Sequence, residues 1–150
     1  MKKITIARWK ELGELFAEQP QIKSFIYGAQ DEDIRAKIDK LKQTEYPVLV
    51  GILPTIIGTG QHLDMMGNES PLFFYCMVPK DNMSDTEMDG AWESTLDAIQ
   101  GIEQIIMDNY TSKEWRELYF LNPETIHIDP EFDMWNCMGW SIGFDIEYAT

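Results

Sequence analysis

The stretch Trp140-Ser-Ile-Gly-Phe-Asp-Ile-Glu-Tyr148 decides the fold. Trp140, Ile142, Phe144, Ile146 and Tyr148 fall on every second residue, with Ser141, Gly143, Asp145 and Glu147 between them. Successive side chains of a strand point to opposite faces, so this alternation predicts a half-buried antiparallel strand with one face on a core. Thr125–Asp129 is the expected partner, because Ile126 and Ile128 match the apolar face. Pro130–Met138 is then read as the connection.

Working outward, Tyr46-Pro-Val-Leu-Val-Gly-Ile-Leu-Pro54 is a short continuous apolar run with proline near both limits. That pattern belongs to a strand buried on both faces. Leu72-Phe-Phe-Tyr-Cys-Met-Val-Pro79 reads as a second such strand, rich in aromatics. Two helices are expected ahead of them. Trp9, Leu12, Leu15 and Phe16 recur at helical spacing over about residues 7–18, and Pro20 stops that run. Ile34, Ile38 and Leu41 stripe a second segment, Asp31–Lys42, whose acids lie at the start and lysines at the end, as a helix dipole favours.

Ser84-Asp-Thr-Glu87 matches a capping box, in which serine and the glutamate three residues on satisfy free amide groups at a helix start. The long helix that follows should run to about Tyr110. Met88, Trp92, Thr95, Ile99, Ile102 and Ile106 step along one face by fours and threes. Ser112 is expected to cap a short further helix through Trp115, Leu118 and Tyr119. The prediction is a single α+β domain over residues 1–150, with 1–20 as an N-terminal helical extension. Its sheet is mixed but mainly antiparallel, with the 85–110 helix packed on one face and the N-terminal helices added. Trp92, Ile99, Ile106, Phe74 and Phe144 should be core.

Composition bounds the function. Of 150 residues 44% are hydrophobic and 12% aromatic, too apolar for a disordered chain. The net charge of −14 repels phosphate backbones and anionic membranes, which excludes conventional sequence-specific nucleic-acid binding. The charge is regional: residues 1–45 carry nine basic and eight acidic side chains, residues 46–150 three and eighteen. One copy could therefore dock its Lys37, Lys40 and Lys42 end against an acidic face of another. The apolar run at 46–58 is too short to span a membrane, and Arg8, Lys10 and Glu11 interrupt any secretory leader. A cytoplasmic chain is expected, with Cys76 and Cys137 reduced, unpaired and buried.

Catalytic motifs are missing from the sequence. His62 with Asp64 is a lone H-x-D, His127 alternates with isoleucines on a strand, and Gly58-Thr-Gly60 lacks the rest of a phosphate loop. No catalytic residue, metal ligand or cofactor site is assigned. The long segment Ile56–Pro71, with its glycines, reads as a loop or an open hairpin arm, and arms of that length are usually functional. Ile56, Ile57, Leu63, Met65 and Met66 on this arm are candidate oligomer-interface residues. Trp135, in the Phe132–Met138 connection, is expected to be exposed at the same kind of interface.

The order of elements, with Tyr46–Val50, Phe73–Val78, the 84–110 helix and Gly139–Phe144, resembles the small phage tail terminator, tail completion and related neck proteins over about residues 31–148. The resemblance implies a non-enzymatic α+β subunit that forms a ring at the end of a tail tube, stops its growth and joins it to the head. Its partners would be further copies of itself and other tail or neck proteins. It would reside in the host cytoplasm and then in the virion. A small acidic cytoplasmic binding or inhibitor protein is the alternative that the charge also fits.

Overall fold

The computed structural model describes residues 5–54, 69–112, 115 and 121–147. The Thr5 hydroxyl accepts the Arg8 amide at 3.1 Å and opens helix α1, Ile6–Phe16. Strand β1, Ser24–Gly28, follows, then helix α2, Asp31–Asp39. Asp31, Glu32 and Asp33 occupy the first turn of α2 and Lys37 the last, each sign at the pole of the dipole that stabilises it. Strand β2 covers Val48–Ile52 and enters after a cis Tyr46–Pro47 bond. Strand β3 is Glu69–Pro79. Helix α3, Asp85–Ser112, starts on the expected capping box: the Glu87 amide donates to the Ser84 hydroxyl, and the Ser84 amide to the Glu87 carboxylate, both at 3.2 Å. Strands β4, His127–Met134, and β5, Cys137–Glu147, close the chain.

The five strands lie in the order β1-β2-β3-β5-β4. Only β1 and β2 are parallel, and α2 makes the crossover between them; every other pairing is antiparallel. The fold is therefore α+β with a mixed, mainly antiparallel sheet and α3 along one face.

The alternation read from Trp140 onward sorts the two faces. Ile142, Phe144 and Ile146 join Leu49, Leu72, Phe74 and Cys76 beneath α1 and α3, which contribute Trp9, Leu12, Phe16, Ala98, Ile99, Ile102 and Ile106. Aromatic rings interlock in this layer: Phe16 meets Phe74 edge-on at 5.1 Å, and Trp9 stacks on Phe74 at 5.7 Å. Gly51 allows the close approach, since a Cβ there would lie 2.8 Å from the Trp9 ring. On the opposite face α2 lays Ile34 and Ile38 over Val48, Val50 and Met77. β2 is thus buried on both faces, as its unbroken apolar run requires.

Four expectations change. β1 has no counterpart in the sequence reading. β4 continues through Pro130 to Met134, so the connection to β5 shrinks to Trp135 and Asn136. Proline is tolerated there because β4 is an edge strand. Trp135 is not an exposed interface residue: it is 4% exposed and belongs to the core under α2. Trp92 is only half-buried, in edge contact with Trp140 at 5.9 Å. Ile56, Ile57, Leu63, Met65 and Met66 lie outside the described residues, as do His62, Asp64, Leu118 and Tyr119.

The turn that buries Trp135 is held against backbone preference. Trp135 and Asn136 both have positive φ, 55° and 59°, the pair of values a two-residue type I′ hairpin needs. A side chain in that region costs about 1 to 2 kcal/mol per residue. Burial of the indole offsets it, together with its N–H donated to Asp31 Oδ1 at 3.3 Å and an edge contact to Tyr75 at 5.2 Å. Asn136 Nδ2 donates to Asp81 Oδ2 at 2.5 Å, tying the turn to the β3–α3 connection.

Ile99→Ala should destabilise the protein by about 2 to 5 kcal/mol in denaturant unfolding, since Ile99 is fully buried between α3 and the sheet. A loss under about 0.5 kcal/mol would contradict that packing.

Cys76 and Cys137 are free and buried. Burial pushes the Cys76 thiol up to about 12. Burial, then Asp81 and Asp39, lifts Cys137 to about 11. Burial, then Cys137, Asp39 and Glu45, raises the Tyr46 phenol to about 12. Raised values hold the groups neutral in the fold, so their contribution to stability is full below the unfolded values and lost as pH rises through the folded ones. The unfolding midpoint should therefore fall between about pH 9 and 12, while two thiols titrate with a thiol reagent in denaturant and neither reacts rapidly in the native state at pH 8. A flat alkaline profile, or fewer than two reactive thiols in denaturant, would contradict the burial.

Candidate functional site

Helix α2 covers only part of its face of the sheet. Beyond Met77 of β3 and Cys137 of β5, which belong to the cluster under α2, no described helix covers this face over β3, β5 and β4. The register sets three rows of side chains along it. Tyr75, Ser141 and Asp129 lie side by side in one; Phe73, Gly143 and His127 in the next; Met77, Gly139 and Glu131 in the third. β5 thus provides a floor of glycine and serine. Phe73 and Tyr75 rise on one side, and His127, Asp129 and Glu131 on the other.

The floor must be small. A Cβ at Gly143 would sit 2.6 Å from the His127 ring and 2.8 Å from the Phe73 ring, and one at Gly139 would fall on the Cys76 carbonyl. The two rings flanking Gly143 stand edge-on at 6.0 Å. Glycine therefore lets an aromatic residue and a histidine from non-adjacent strands meet across the strand between them.

Polar groups are fixed along the far wall. Ser141 Oγ is 3.0 Å from Glu131 Oε1 and 3.4 Å from the Asp129 carbonyl. His127 Nδ1 is 2.9 Å from the Thr125 carbonyl, an acceptor, so this nitrogen carries the proton. Its Nε2 stands 3.9 Å from Asp129 Oδ2, a contact that gains charge only when the ring is protonated. Ser141 is thus turned to Glu131 and His127 to Asp129 and Thr125. This is no nucleophile–base pair of the kind acyl transfer uses. Among the described residues no group of three His, Cys, Asp or Glu is placed to hold a metal ion.

The electrostatics of the face are one-signed. The Tyr75 phenol is raised above its ordinary value by burial first, then by Glu131, Asp31 and Asp129. Carboxylates from β4 and from the start of α2 therefore bear on one hydroxyl, and the face favours cations. The two thiols lie elsewhere, inert by burial.

Both sheet edges are guarded. β4 carries Pro130, a register shift between Phe132 and Met134, and acids at 129, 131 and 133. At β1, the Lys37 ammonium donates to the Tyr27 carbonyl at 2.5 Å and lies 4.8 Å from the Tyr27 ring, with Lys10 5.1 Å from the same ring. Proline, bulges and lysines on edge strands discourage sheet extension. Phe132 stays outside, 57% exposed, with Trp92 at 6.3 Å and the Lys80 ammonium at 5.3 Å.

The sequence pattern gives interface character to Trp135 and to Ile56, Ile57, Leu63, Met65 and Met66 on the Ile56–Pro71 arm. Trp135 instead lies buried on the same face beside the site, its ring edge-on to Tyr75. Tyr75, Asp129 and Glu131 were not singled out. Their signal was the polar register of β5, Ser141-Gly143-Asp145, which marks the face that a partner strand must share. No protein-family model matches the chain, and none of the curated proteins matches it.

Glu131→Gln should lower the pH at which Tyr75 ionises, leaving it above the ordinary tyrosine range because burial persists. Ultraviolet titration of the variant against the parent, each corrected with Tyr75→Phe, reads this directly. An unchanged Tyr75 titration would mean the carboxylate does not bear on the phenol.

Proposed function

We propose that this chain is a non-enzymatic assembly subunit of a phage or prophage particle, a tail terminator or head–tail joining protein that works as a closed ring of identical copies. The observation that carries the reading is the part of the sheet face over β3, β5 and β4 that no described helix covers, bounded by edges built against sheet extension. A face of that kind serves contact through side chains. The resemblance of the strand and helix segments to tail terminators supports the same class. The acidity is compatible with the role, since a negative lumen lets DNA pass without adhering. Its partners in this reading are copies of itself and other tail or neck proteins. It is made in the host cytoplasm and ends in the virion. No helix among the described residues is long and apolar enough to cross a membrane.

The test is the assembly state. Sedimentation velocity over a wide concentration range, with negative-stain electron microscopy at the upper end, should reveal closed rings of uniform size. A chain that stays monomeric at every concentration and leaves isolated tail tubes uncapped would overturn the reading.

A further inference from the structure

The acidic sheet face has a counterpart of opposite sign on the same chain. Lys23, Lys40 and Lys42 are exposed and gather at the entrances of β1 and β2. Lys23 directly precedes β1 and its amide donates to the Pro47 carbonyl, while Lys40 and Lys42 lead from α2 into the turn before β2. Arg35 is exposed on α2 itself. Of the acids nearby, Glu45 already accepts the Lys42 backbone amide at 2.9 Å, leaving Asp39 exposed among the cations.

The two surfaces cannot meet within one molecule. β1 and β4 are the opposite edges of the sheet. Four strand spacings of about 4.8 Å separate them, on the order of 19 Å. Neither surface can pair with its own copy on another subunit, since acid would face acid and lysine lysine. The contact their charges allow is heterologous, head to tail, the kind that closes into a ring when the rotation between copies permits.

The geometry points to a second copy of this chain as the occupant of the open face: the Lys23–Lys40–Lys42 corner of one subunit docks against Asp129, Glu131 and Tyr75 of the next. The cationic stems cover the Tyr75 and Phe73 rings while the ammonium groups reach the carboxylates. The raised ionisation of Tyr75 is in keeping with a face poised for cations. This rests on the assembly reading above and names the surfaces that carry it.

Charge exchange tests it. Asp129→Lys with Glu131→Lys should weaken assembly about tenfold or more, and so should Lys40→Glu with Lys42→Glu. The chain carrying all four substitutions should assemble again, because the complement is restored with its signs reversed. An equimolar mixture of the two double variants should also assemble, each supplying what the other lacks. Recovery in either form excludes simple unfolding as the cause of the loss, and circular dichroism of each variant checks the fold independently. Assembly of the parent that neither double variant weakens would overturn this pairing and leave the assembly reading standing. Loss in one or both double variants without recovery in the fourfold chain or the mixture would overturn it too, since the charges would not be facing each other. A parent that never assembles would overturn both.

Discussion

The antiparallel pairing of β3 with β5, eleven residues from Glu69↔Glu147 to Pro79↔Cys137, is the constraint on which the remaining structure hangs. It joins the middle of the chain to its last described strand and places β3 at the centre of the sheet. Every layer refers to it. α1 and α3 pack on the Leu72–Phe74–Cys76 side, and α2 on the Met77 side. Because side chains alternate, a slip of β5 by one residue against β3 would carry Ile142, Phe144 and Ile146 to the α2 side and bring Ser141 and Gly143 beneath α3. The steric fit of Gly139 against the Cys76 carbonyl pins the register further.

Much of this was written in the local pattern. The period of two from Trp140, the unbroken apolar run of β2 and the Ser84–Glu87 box each specify an element through short-range physics, and each formed as read. β1 escaped because its apolar run, Phe25-Ile-Tyr27, is only three residues long between Ser24 and Gly28, too short to mark a strand, and is partly exposed on both faces. β4 escaped because Pro130 and a sprinkling of acids look like a loop; the period-two series Ile128, Pro130, Phe132 makes sense only once the strand is known to lie at an edge. Trp135 misled for a related reason. A tryptophan among Asp, Asn and Met resembles a surface residue, and a type I′ turn without glycine gives no turn signal, so its burial depends on α2, far away in sequence.

The candidate face was legible only by halves. The polar register of β5 announced a side turned away from the main core, and the charge count announced acidity after residue 45. What no local reading supplies is the adjacency of β3 and β4 across β5, which brings Phe73 and Tyr75 opposite His127, Asp129 and Glu131. Guarded edges and a charged side-chain face also separate two hazards. Backbone pairing between copies is indiscriminate and leads to aggregation, whereas side-chain contact between opposite charges has a direction and a stoichiometry.

The Trp135 anchor bears on the order in which the molecule assembles itself. Its indole bonds Asp31 across 104 residues of chain, so the cover that α2 gives the sheet is incomplete until the last hairpin has turned. A contact of such separation is entropically costly to close early. The α1–α3 side draws on a long helix with its own cap, while the α2 side waits for the β4–β5 hairpin. During synthesis the apolar surface of Val48, Val50 and Met77 therefore stays partly bare until the ribosome has released the β4–β5 turn, which makes that surface the one a chaperone would meet.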